Sequence, residues 1–164
     1  MPHWRKKLEA VDNYIYILNV RFAGDIHFSK KVECDVENVR VPSMILQPVV
    51  ENAVNHGIRN IDWEGHIDLS VERWNDHIEI SVRDNGLGMT GEQIQRVLSK
   101  KVHSSSGEGD STGIGMNNVI SRLELYYERD GLMEIYSEGE GMGTEVVINI
   151  PLERSEKNVQ NPDC

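Results

Sequence analysis

The 164 residues contain only two cysteines, Cys34 and the terminal Cys164, so a disulfide framework is excluded and a reducing compartment is implied. A basic excess is also missing. Lys+Arg 17 against Asp+Glu 27 leaves a net charge of -10, which disfavours nonspecific binding to nucleic acid or to an anionic membrane surface. Apolar runs are only a few residues long, and Met1 to Lys7 has no hydrophobic signal core behind it. Outside the helix near residue 50, the histidines His3, His27, His66, His77 and His103 have no ligand spacing, so a structural metal is not expected. Ser104, Ser105 and Ser106 have no base pattern of a nucleophile, and no internal repeat is visible. With 38% hydrophobic residues, the length suits one compact domain.

Leu8, Val11, Ile15, Leu18 and Phe22 step by three and four, a coiled-coil-like helical seam that calls for a partner. A β-rich stretch (Ile26, Phe28, Val32) leads to a helix from about Ile45 to His56, with Ser43 available as N-cap. Ile67, Leu69 and Val71, then Ile78, Ile80 and Val82, alternate with polar residues about Asn75-Asp76 and predict a β-hairpin. Thr90 and Gln93 form a capping box for a short helix through about Val102. Residues 103–112 read as a mobile Ser/Gly loop, and a third helix is expected directly after Gly113-Ile114-Gly115. Strands over 132–137 and 144–150 follow, joined by a glycine-rich turn over 139–143, and the tail after Pro151 is polar.

Three segments carry possible chemistry. At 100° per residue, Glu51, Asn52, Asn55 and His56 share one helix face, while Leu46, Val49, Val50, Ala53 and Val54 fill the other. Read alone, the polar face is solvated surface with His56 at the helix C-terminus; the functional alternative is a Mg²⁺ or phosphate site, since amide and carboxylate oxygens suit a hard cation. Asp84-Asn85-Gly86-Leu87-Gly88 at a strand end is either an Asn-Gly tight turn or a buried acceptor for a ligand amino group with glycines admitting a flat ring. Gly86, Gly88 and Gly91 also fit G-x-G-x-x-G, but no strand bearing a ribose-binding acid follows, which excludes a dinucleotide fold. Gly113-Ile114-Gly115 is either a linker or an anion site at a helix start, and no Lys-Ser or Lys-Thr follows to make it a P-loop.

Taken together, Gln47 to Gly57, Asp84 to Met89 and Gly113 to Val119 with Arg122-Leu123 closely resemble the N box and the two glycine boxes of the GHKL ATP-binding superfamily. More narrowly, with Tyr14 to Ile17, Arg21-Phe22, Gly143 to Val146 and Ile150-Pro151, the chain is similar to the LytS/YesM-like branch of bacterial sensor histidine kinases. The resemblance runs from about Leu8 to Pro151. It implies a Bergerat fold, an α/β sandwich with a mixed sheet, helices packed on one face and ATP between them. Asn52 would ligate Mg²⁺, with Glu51 and Asn55 close by in the catalytic group. Asp84 would accept the adenine amino group, supported by Thr144. Gly86, Gly88, Gly113, Gly115, His56 and Asn118 complete the implied nucleotide contacts, and residues 103–112 match the ATP lid.

Two departures follow. Family members often carry Lys or Arg at the position of Asn55, so phosphate neutralisation falls to Arg59, Lys100, Lys101 or Arg122. Pro48 stands where ATP-hydrolysing relatives carry a general-base Glu, which favours transfer to a protein histidine. The family's phosphoacceptor motif is not matched by Pro2-His3-Trp4-Arg5. The expectation is therefore a catalytic fragment: residues 1–23 as the end of a dimerisation helix, 24–151 as the ATP-binding domain and 152–164 as a tail. The full-length protein would be a membrane-anchored homodimer with this domain in the cytoplasm. Its γ-phosphoryl would pass to a histidine on the dimerisation domain and on to a response regulator. The alternatives are a GHKL nucleotide-binding module without phosphotransfer and a serine kinase of the same superfamily.

Overall fold

A computed structural model describes residues 3–21, 26–36, 39–99 and 111–152. In chain order the elements are α1 (His3–Arg21), β1 (Ile26–Val32), a short 3-10 turn (Cys34–Val36), α2 (Leu46–Asn52) running on as a π-helix (Ala53–Ile58), β2 (Gly65–Arg73), β3 (His77–Asp84), α3 (Gly91–Leu98), α4 (Ser111–Tyr127), β4 (Met133–Tyr136) and β5 (Thr144–Pro151). The five strands form one sheet in the order β1-β2-β3-β5-β4. β1 runs parallel to β2 through the α2 crossover, and the remaining neighbours are antiparallel. This is the mixed sheet expected of an α/β sandwich. Alternation makes one face apolar: Ile67, Leu69 and Val71 of β2, Ile78, Ile80 and Val82 of β3, and Val146, Ile148 and Ile150 of β5 are buried. Against that face pack α2 (Leu46, Val49, Val50) and α4 (Met116, Val119, Leu123).

The seam on α1 finds its partner inside the chain, because Val11, Ile15 and Leu18 are buried in the same core. A different α1 face, Tyr16, Ile17 and Val20, stays exposed. The Thr90–Gln93 capping box forms, with the Thr90 side chain accepting from the Gln93 N–H and the Gln93 side chain accepting from the Thr90 N–H. The hairpin about 75–76 and the antiparallel β4–β5 pair also form as expected. Ser43 is not the N-cap of α2. Ile45 holds that position without a side-chain cap, Met44 has φ 60, and the carbonyls of Ser43 and Met44 accept from Arg122 Nη1 at 2.9 and 3.3 Å. The entry is thus fixed from α4 rather than by a local hydroxyl. The third helix also differs: α4 begins at Ser111, so Gly113 lies in its first turn and Gly115 just beyond it, not before the helix. Of the expected lid, residues 103–110 lie outside the described residues, as do Lys100 and Lys101.

Candidate functional site

The site is built where the end of the N-box helix meets the tips of β3 and β5. Up to Asn52 the helix is regular; from Ala53 it widens, and the Arg59 N–H reaches back five residues to the Val54 carbonyl at 2.9 Å. A π turn inside a helix commonly marks a functional position. Here it lays Gly57 against β3: a Cβ on Gly57 would stand 2.6 Å from Asp84 Oδ1. The 100° projection of the polar face therefore holds only as far as Asn52. Glu51, Asn52 and His56 are half-buried, Asn55 is exposed, and Glu51 Oε1 accepts from Gln47 Nε2 at 2.8 Å. Pro48 falls in the first turn of α2, where its missing N–H breaks no helical bond.

Asp84 is buried at the last paired position of β3, opposite Thr144, which is itself buried. Its Oδ1 accepts from the Gly86 N–H at 2.9 Å. Burial pushes the carboxyl up to about 6, while the backbone N–H groups of Gly86 and Thr144 pull the other way. The Asn-Gly turn reading fails on conformation, since neither Asn85 nor Gly86 has positive φ. The glycines serve close packing instead, and what approaches them is the protein's own backbone. A Cβ on Gly86 would fall 2.1 Å from the Gly57 carbonyl, and one on Gly88, where φ is 73, would fall 2.0 Å from the Gly139 oxygen.

The segment read as a simple hairpin turn, 139–143, is a wall of the site. Gly141 N–H donates to the Leu87 carbonyl at 2.7 Å and Gly143 N–H to the Gly86 carbonyl at 3.0 Å. Ser137, which sequence reasoning missed, ties this wall down: its hydroxyl donates to the Gly143 carbonyl at 2.6 Å and accepts from the Met89 N–H at 2.9 Å. A serine at a strand end carries no sequence signal for that role.

Five residues before Gly57, at the end of the regular helix, the Asn52 Oδ1 is buried without a hydrogen-bond partner. Asn117 Oδ1 on α4, the helix packed against α2, is in the same condition, whereas the Asn118 side chain is exposed. Helical phase from Met116, the buried middle residue of the quoted motif, was the available signal for choosing Asn117. A buried carbonyl oxygen left unpaired costs about 1–3 kcal/mol, and it is the donor type that a hard cation takes. Among the described residues no group of three or more His, Cys, Asp or Glu could hold a metal ion, so a cation here needs most of its oxygens from a ligand and water. Of the proposed phosphate-neutralising bases, Arg122 is engaged at the entry to α2, and Arg59 lines a separate cavity of about 450 Å³ with Ile58, Trp63 and Glu64.

A buried strand-end carboxylate under a glycine-packed turn, on a mixed sheet covered by helices, is the α/β-sandwich architecture that the resemblance implies. A family model described as "Histidine kinase-, DNA gyrase B-, and HSP90-like ATPase" matches residues 40–154, and the chain belongs to that family. It is 27% identical over 160 residues to the sensor protein LytS of Staphylococcus saprophyticus, covering 97% of this chain and 26% of the relative. It is 31% identical over 158 residues to the sensor histidine kinase YpdA of Escherichia coli K12, covering 92% of this chain and 25% of that protein. The chain thus spans about a quarter of the length of these relatives. Among solved structures, the catalytic domain of histidine kinase ThkA matches with TM-score 0.59 at 19% identity, covering 88% of this chain and 94% of that one. The mycobacterial sensor histidine kinase MprB matches at TM-score 0.60 and 20% identity, over 88% and 93%. No helix among the described residues is long and apolar enough to cross a membrane.

Proposed function

We propose that this chain binds Mg²⁺-ATP and is the catalytic domain of a membrane-anchored, dimeric sensor histidine kinase. It passes the γ-phosphoryl group to a histidine on the kinase's dimerisation domain for relay to a response regulator. The observation that carries this reading is Asp84: a carboxylate buried at a strand end, one oxygen held by the Gly86 N–H, with acceptor capacity left over. That capacity suits the exocyclic amino group of adenine and rejects guanine, which presents a carbonyl there. Asn52 Oδ1, buried and unpartnered, fits a Mg²⁺ ligand. When bound, that ion supplies charge neutralisation at the phosphate oxygens. The first-turn N–H groups of α4, which includes Gly113, face the end of the helix that favours anions. Pro48 leaves no side chain at its position to activate water, which favours transfer to an imidazole nitrogen over hydrolysis.

Calorimetry with ATP and GTP, with and without Mg²⁺, tests the nucleotide assignment. ATP is expected to bind at least tenfold tighter than GTP, and more weakly though still measurably without the ion; equal binding of the two nucleotides sinks the role of Asp84. Radiolabelled ATP with a separate segment bearing the phosphoacceptor histidine tests transfer. Label on the segment is the expected result, and intact ATP binding without label identifies a regulatory module instead.

A further inference from the structure

The turn that follows Asp84 is held from behind, and one residue makes the tie. The β2–β3 ladder ends with Ile67 opposite Asp84. Asn85 continues it with its side chain: Oδ1 accepts from the His66 N–H at 2.7 Å and Nδ2 donates to the Glu64 carbonyl at 2.9 Å. Its backbone is tied to the same segment. The Asn85 N–H donates to the His66 carbonyl at 3.2 Å, and the Asn85 carbonyl accepts from Trp63 Nε1 at 2.9 Å. Trp63 thus uses its only side-chain polar group on this contact, although the residue is 42% exposed. An asparagine in an Asn-Gly pair is ordinarily explained by positive φ, and Asn85 does not have it. Its amide is there for the bonds.

We propose that Asn85, braced by Trp63, is a positioning residue for nucleotide recognition: it fixes the turn so that the Gly86 N–H stays on Asp84 Oδ1 and the rest of the carboxylate is presented to the base. This rests on the adenine-binding reading of Asp84. Were the tie absent, the two peptides after Asp84 could rotate, and Oδ1 would turn towards any donor available. The requirement is for both an acceptor and a donor on one short side chain. Aspartate keeps the acceptor for His66 but sets a carboxylate against the Glu64 carbonyl.

The experiment compares Asn85→Ala, Asn85→Asp and Trp63→Phe with the unaltered chain, each first shown to be folded by its thermal transition. Affinities for Mg²⁺-ATP, Mg²⁺-ADP and Mg²⁺-tripolyphosphate are measured, with amide hydrogen exchange at Gly86 in the nucleotide-free chain. Asn85→Ala is expected to weaken ATP and ADP alike by about tenfold, and the other two variants by about threefold. Tripolyphosphate binding should be unmoved, because only the base end is loosened. Gly86 exchange should quicken in every variant. ATP affinity within twofold of the unaltered chain in Asn85→Ala, an equal loss for tripolyphosphate, or unchanged Gly86 exchange would each overturn the positioning role. Should Asn85→Ala fail to fold, Trp63→Phe, which keeps an aromatic side chain but loses the Nε1 donor along with the five-membered part of the indole, decides by the same three readouts. An unaltered chain that does not bind ATP refutes the adenine reading itself, and the exchange rates still judge the tie.

Discussion

The two ends of the candidate site are finished to different degrees. Around Asp84 the backbone is fully tied, and only the carboxylate itself keeps acceptor capacity: Gly57, Gly86 and Gly143 pack backbone against carboxylate or backbone, Asn85 braces the turn and Ser137 the wall. Around α2 and α4, Asn52 and Asn117 each leave a buried carbonyl oxygen unpaired. The first end is preorganised, so on the proposed adenine reading its selectivity would be set in folding, before any ligand arrives. The second end carries an unmet desolvation cost of about 1–3 kcal/mol per oxygen, which an incoming cation or donor would relieve. Recognition of a base demands a fixed acceptor; holding a hydrated metal-phosphate group tolerates a site completed by the ligand.

Glycine replacements give the largest expected contrast between the ends. Gly86→Ala places a Cβ 2.1 Å from the Gly57 backbone, which no rotamer change can relieve, and should destabilise the chain by about 3 kcal/mol or more. Gly115→Ala meets nothing within 4 Å and removes a helix-interior glycine, so it should stabilise by about 0.5–1 kcal/mol. Urea midpoints with unchanged slopes would check both. Equal effects would mean that the two glycine boxes share one role.

Next in size is Asp84→Asn, which separates stability from function at the finished end. The folded-state carboxyl is raised from 3.8 to about 6, so the folded chain holds a proton that the unfolded chain releases between those values. Stability from this group is therefore present below about pH 4 and lost as pH rises through about 6. The amide variant should gain on the order of 1–3 kcal/mol at pH 7 to 8 and lose about 10- to 150-fold in ATP affinity, the worth of a hydrogen bond to a charged group. Denaturation and calorimetry across pH 4 to 8 test the pair of effects. A variant that is less stable at pH 8, or whose ATP affinity is unchanged, contradicts the assignment of Asp84 as a desolvated ligand group.

The finished end was also the more legible one in the sequence, though for only part of its reasons. Alternation at Ile78, Ile80 and Val82 delivers Asp84 to a strand end, and burial follows from period two. The capping box Thr90–Gln93 is local chemistry and forms as read. What packs into Gly86 and Gly88 was not legible, because the approaching atoms belong to Gly57 and Gly139, 29 and 51 residues away in sequence. The π turn after Asn52 has the same origin: helical propensity gives no hint of it, while contact between Gly57 and Asp84 depends on it. Ser43 failed as a cap because Arg122, distant in sequence, takes the carbonyls of the entry loop. The α1 seam was legible as a seam, but periodicity cannot say whether the partner is another chain or the same one.

The smallest expected effect is the one that tests the unfinished end. Asn52→Ala removes a buried oxygen that has no partner in the free chain, so stability should not fall and should rise by up to about 1 kcal/mol, less any packing lost with the amide. Affinity for ATP in Mg²⁺ should drop about tenfold, since a hard-cation ligand is gone. Without Mg²⁺ the variant and the unaltered chain should bind ATP equally, because the base end is untouched. That last comparison is decisive. An affinity loss that persists without the ion would make Asn52 a direct phosphate or ribose contact, and a marked loss of stability would mean that its oxygen is satisfied in the free chain, removing the difference between the two ends.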